Sequence, residues 1–145
     1  PLAYALVTLN IQVKDGFATS FDSYFLDPAD SRQAADYINS HSQPTDLVIA
    51  SPALAWALEA NATDYQIALA ARPGATIHFP AGIPAERMAF DTGYSHARFV
   101  VVDNIWTSWS EGEIPGLSAL REDVESWPLA LQAGEIKIYR NPAMP

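Results

Sequence analysis

The 145-residue chain contains no cysteine. That absence excludes thiolate nucleophiles, disulfide staples and cysteine-ligated zinc together, and it is compatible with an oxidising compartment. Basic residues are scarce: eight Lys and Arg stand against seventeen Asp and Glu, for a net charge of −9. Those eight (Lys14, Arg32, Arg72, Arg87, Arg98, Arg121, Lys137 and Arg140) are scattered along the sequence. A nucleic-acid backbone or an anionic bilayer is held by clustered cations, so neither is expected as a partner. No run of about twenty apolar residues is present, so no membrane-spanning helix is expected within these residues. Signature motifs are missing as well. There is no GxSxG nucleophile elbow, no GxGxxG, no phosphate-binding loop and no HExxH. The glycines stand singly, in ARPGAT, PAGIP, DTGYS and EGEIPG, where they serve turns. None of His41, His78 and His96 has a second ligand at a metal-binding spacing, and neither a metal nor a cofactor is expected.

What is present is enough apolar material for a core, 49% of residues. A chain of this length fits one domain and can bury about two-thirds of its unfolded surface. Val7, Leu9, Ile11 and Val13 alternate with polar residues, which predicts a half-buried strand. The preceding apolar stretch, Leu2 to Leu9, is expected to continue a hydrophobic segment lying upstream. DPAD, Asp27 to Asp30, is a helix start: an Asp cap, Pro in the first turn and an acid at the positive end of the dipole. Ala34, Tyr37, Ile38 and His41 then share a helical face, and Gln43-Pro44 ends the helix.

DLVIA, Asp46 to Ala50, reads as a buried strand. Ser51-Pro52 opens a helix carrying Leu54, Ala57 and Leu58. Asn61 interrupts it, and a further helix from about Thr63 runs to Arg72. Ala75 to Phe79 reads as a strand and Ala85 to Phe90 as a helical turn. Ala97 to Asp103 is the clearest strand of all. Leu117, Leu120, Val124 and Trp127 line one face of a helix stopped by Pro128. Gly134 turns between two short strands, the second running from Glu135 to Tyr139. Strands alternating with helices predict an α/β fold: a single three-layer domain, with a mostly parallel central sheet, helices on both faces and antiparallel strands at its edges.

The segment FVVVDNIWTSW, Phe99 to Trp109, is the most site-like stretch, because a buried strand there delivers a carboxylate to its carboxyl end. Asp103 in that position suits catalysis, but Asp-Asn after a strand is also good turn chemistry. The strand-ending role is the expected one. Asn104 shares the position. Trp106 and Trp109 are expected in a loop, with at least one ring exposed, to stack on a sugar, flank a lipid, meet a neighbouring domain, or fold back onto the sheet. Asp46, by contrast, precedes its strand and belongs at the opposite edge. Asn61-Ala62-Thr63 matches the glycosylation triplet, which is short enough to carry no argument.

Several stretches together resemble a known family. DSRQAADYINSHSQPTDLVIASPALAWALEANATDYQ, ERMAFD, ARFVVVDNIW and WPLALQAGEIKIYRNP are similar to the soluble C-terminal domain of bacterial GT-C type membrane glycosyltransferases. These enzymes include the relatives of dolichyl-phosphate-mannose protein mannosyltransferases and of lipid A aminoarabinose transferases. The likeness covers about residues 27 to 142 and includes no catalytic signature. It implies a single soluble domain over residues 1–145, with 1–26 a strand or linker from an upstream membrane region and 27–142 the α/β core.

It further implies a place on the extracytoplasmic side of a bacterial membrane, beside the transmembrane region of the same polypeptide. A polyprenyl-phosphate-linked sugar would be the donor and a lipid or protein the acceptor. The family's catalytic acids lie in its membrane portion, so the resemblance assigns no catalytic residue here. Two other readings stand beside it: a free-standing sugar- or nucleotide-binding module, and a small α/β enzyme using Asp103 with a polar partner such as Ser51.

Overall fold

The computed structural model describes residues 26–70, 84–110, 114 and 116–144. The expected strands at residues 7–13 and 75–79 lie outside these. The described residues form helices and an open, mixed, five-stranded sheet, an α/β arrangement.

Helix α1, Pro28–His41, begins as its sequence dictates. Asp27 caps it, accepting from the amides of Ala29 at 2.8 Å and Asp30 at 3.1 Å, two donors the helix leaves unpaired. Its buried residues are Ala34, Ala35 and Ile38. The packed face is thus turned towards Ala35 relative to the expected one. Tyr37 is half-buried and His41 exposed, with the two rings stacked 4.2 Å apart.

Strand β1, Leu47–Ile49, is buried throughout. Helix α2, Pro52–Ala55, is one turn long, shorter than expected. The chain then enters strand β2, Asn61–Thr63, where the sequence suggested only a break between helices. Three residues reading Asn-Ala-Thr carry no apolar run. They are recruited by backbone pairing alongside β1, in parallel, from Leu47↔Asn61 to Ile49↔Thr63. Helix α3, Tyr65–Ala70, follows.

Strand β3, Ala97–Val102, is the centre of the sheet. It pairs in parallel with β1 and antiparallel with the last strand. Helix α4, Asn104–Ser110, and helix α5, Leu117–Glu125, come next. Leu117, Leu120 and Val124 are the buried side of α5, as their spacing requires. The chain closes with the hairpin of β4, Leu129–Ala133, and β5, Ile136–Arg140. Gly134 makes the turn with φ +53°, a left-handed conformation that costs glycine little.

The strand order is β2-β1-β3-β5-β4. The expected mostly parallel sheet is therefore a mixed one: β2, β1 and β3 run parallel, while β5 opposes both β3 and β4. Nor is the antiparallel strand confined to an edge, because β5 sits between β3 and β4 and only β4 is outermost on that side. A tight hairpin has to place its two strands side by side and antiparallel, so the carboxyl-terminal turn at Gly134 sets this half of the sheet.

Side-chain alternation along the strands sorts the core into two clusters. Leu47, Ile49, Val100 and Val102 gather with Tyr65, Trp106, Leu117, Leu120 and Val124. Val48, Phe99, Val101, Ile136 and Ile138 gather with Ala34, Ala35, Ile38 and Leu54. Each large side chain buried in this way stabilises the fold by roughly 1.5–3 kcal/mol.

Candidate functional site

Asp103 follows the last residue of β3 directly, and Ser51 lies two residues beyond the end of β1. The two strands are parallel neighbours, so both residues stand at the same, carboxyl edge of the sheet. From β1 the chain goes on to β2 on one side, whereas β3 lies on the other. Strand order thus reverses between β1 and β3, which is where open α/β sheets place their ligand crevice.

The two side chains meet at this point. Ser51 Oγ donates to Asp103 Oδ2 at 2.6 Å. The other carboxylate oxygen, Oδ1, accepts from the amide of Trp106 at 2.9 Å, and the Asp103 carbonyl accepts from the amide of Thr107 at 3.0 Å. This is the bonding of a helix cap. The segment expected to be a loop is helix α4, and Asp103 is its starting residue rather than a turn residue at the surface. Ser51 occupies the equivalent place before α2, yet its hydroxyl makes no cap bond to that helix. It has been drawn across to Asp103 instead.

Both residues are shut away from solvent, Ser51 at 0% and Asp103 at 1% exposure. Burial pushes the Asp103 carboxyl above its ordinary value, outweighing the bonds from Ser51 and from the Trp106 and Ile105 amides that favour the charged form. The competition has a simple origin. Loss of water penalises the anion over its whole surface, whereas each hydrogen bond compensates at one lone pair. Chemically the pair is a carboxylate accepting a serine hydroxyl. That contact could polarise the hydroxyl towards nucleophilic attack, but neither atom is open to a substrate. In this geometry it joins the end of β1 to the end of β3.

The remaining sequence candidates fall as follows. Asn104 opens α4 and is half-buried, and its Oδ1 is buried with no hydrogen-bond partner among the described residues. Trp106 is completely buried, its ring 4.6 Å from that of Tyr65. It packs in the core with Tyr65, Leu117 and Leu120, on the helix started by Asp103 and not on an exposed loop. The Trp109 side chain lies outside the described residues. Asp46 sits at the amino edge as expected, accepting from the Gln43 amide at 2.8 Å and lying 3.5 Å from Arg98 Nε.

His41 is exposed on α1, and His96 pairs with Asp91 at 2.5 Å on the surface. Bonds from the Gly93 amide and from His96 hold the Asp91 carboxyl below its ordinary value. Among the described residues no group of three His, Asp or Glu side chains is placed to hold a metal ion, and no helix is long and apolar enough to cross a membrane.

Several buried polar residues, Gln66, Thr92 and Asn141 among them, carry no signal that the sequence analysis singled out, and Asn141 is the most fully bonded of these. Asn141, in the closing Tyr-Arg-Asn-Pro, is 3% exposed. Its Nδ2 donates to the carbonyls of Ser95 and Ala97, both at 2.9 Å, and its Oδ1 accepts from the Ala143 amide at 2.9 Å. It ties the chain after β5 to the start of β3. The available signal was an Asn-Pro pair directly after a strand.

No protein-family model matches the chain, and no curated protein or solved structure matches it.

Proposed function

We propose that this chain is an accessory extracytoplasmic domain of a membrane glycosyltransferase, one that transfers a sugar from a polyprenyl-phosphate donor and whose catalytic acids lie elsewhere in the polypeptide. The observation that carries this reading is where the family-like stretches fall. AADYI belongs to α1, DLVIA to β1, ARFVVVDNIW to β3 and α4, and the closing WPLALQAGEIKIYRNP to the β4–β5 hairpin. They are the parts that build and cover the sheet, as expected of a domain related by scaffold rather than by an active site. The buried Ser51–Asp103 pair agrees with a non-catalytic role, since its hydrogen-bonding capacity is spent internally. The same reading takes the fold as three layers, with α1 and α2 on one face of the sheet and α3, α4 and α5 on the other. The two separate core clusters support that arrangement.

The test compares the purified domain with the full-length polypeptide reconstituted in lipid vesicles, using a radiolabelled polyprenyl-phosphate sugar. Turnover is expected from the full-length protein alone, and the upstream coding sequence is expected to carry several apolar segments of about twenty residues. Steady turnover by the domain, abolished in Asp103→Ala, would overturn the proposal, as would an upstream sequence without such segments.

A second reading, a sugar- or nucleotide-binding module, is favoured by one observation: Ser51 and Asp103 meet where strand order reverses. Titrating the domain with nucleoside diphosphate sugars while recording amide NMR shifts separates the two. Saturable shifts confined to residues 50–51 and 103–106 support the module, and an unchanged spectrum supports the accessory role.

A further inference from the structure

No further inference is drawn: the strongest candidate, the exposed apolar patch of Pro52, Ala53, Trp56 and Ala57 on the crossover between β1 and β2, with Trp56 92% exposed, has nothing in the structure to show what covers it.

Discussion

Ser51 and Asp103 stand 52 residues apart in the chain and meet through a single 2.6 Å hydrogen bond. Asp103 has two jobs there, one for each carboxylate oxygen, and substitutions separate them. Asp103→Asn keeps an acceptor for the Trp106 amide and removes a buried charge. Its amide can donate to a rotated Ser51 hydroxyl, which then loses its own acceptor. The expected cost is about 1 kcal/mol. Asp103→Ala removes the cap and strands the Ser51 hydroxyl, for an expected cost of about 2–4 kcal/mol. Urea unfolding with an unchanged slope measures both. Equal stability of Asp103→Ala and wild type would show that the bond contributes nothing.

The raised Asp103 carboxyl makes a pH prediction with a definite sign. Folding favours the protonated form, so its contribution is fully present below the ordinary carboxylate value of 3.8 and is lost as pH rises through the higher folded value. Relative to Asp103→Asn, wild type should therefore lose stability as pH is raised from about 3.8. The surface Asp91 acts in the opposite direction. Its lowered carboxyl favours the folded state above the ordinary value and loses that effect as pH falls through the lower one. Urea midpoints of wild type, Asp103→Asn and Asp91→Asn across this range resolve the two slopes. A flat difference between wild type and Asp103→Asn would contradict the first.

Asn141 should be among the most sensitive polar positions. Asn141→Ala leaves two backbone carbonyls and one amide without their side-chain partner. The expected loss is about 2–3 kcal/mol. Asn141→Asp should be no better despite its shape, since a carboxylate cannot donate and would face the carbonyls of Ser95 and Ala97. Thermal melts of the two variants, compared with wild type, check the order.

Gly134 combines two constraints. Its φ of +53° disfavours a side chain, and a β-carbon there would collide with the Asp30 carboxylate in the first turn of α1. Gly134→Ala is expected to cost about 1–3 kcal/mol. Asp30→Ala in the same chain should restore the part due to collision and leave the part due to backbone conformation. A double-mutant cycle measures that division, and strict additivity of the two changes would show that a β-carbon at position 134 does not collide with the Asp30 carboxylate.

How far the sequence could be read follows from what each element depends on. The cap of α1, the strand ending at Val102, the buried side of α5 and the turn at Gly134 are local, written in Asp27-Pro28, in FVVV, in the spacing of Leu117, Leu120 and Val124, and in one glycine. Strand β2 was hidden because its partner, not its composition, makes it a strand. Helix α4 was hidden because Ser, Thr and Trp are indifferent helix formers, and its start depends on Asp103 being read as a cap. The sequence offers Ser51 only as one example of a polar residue that could partner Asp103. That the two touch is a consequence of β1 and β3 lying side by side, which only the assembled sheet decides.

The place of β5 bears on how the chain avoids its own hazards. Strand β3, with its Phe-Val-Val-Val run, has the composition of a segment that stacks readily with copies of itself. Only Arg98 within the strand and Asp103 at its end interrupt the apolar character. One edge of β3 is paired with β1, but the other is closed only by a strand that comes some forty residues later, from Phe99↔Arg140 to Val102↔Lys137. The β4–β5 hairpin is local and can form quickly, whereas its docking on β3 waits for that stretch of chain to be present. Until then, a sticky edge is bare. Removing the hairpin would uncover that edge of β3, and the expected first consequence is aggregation.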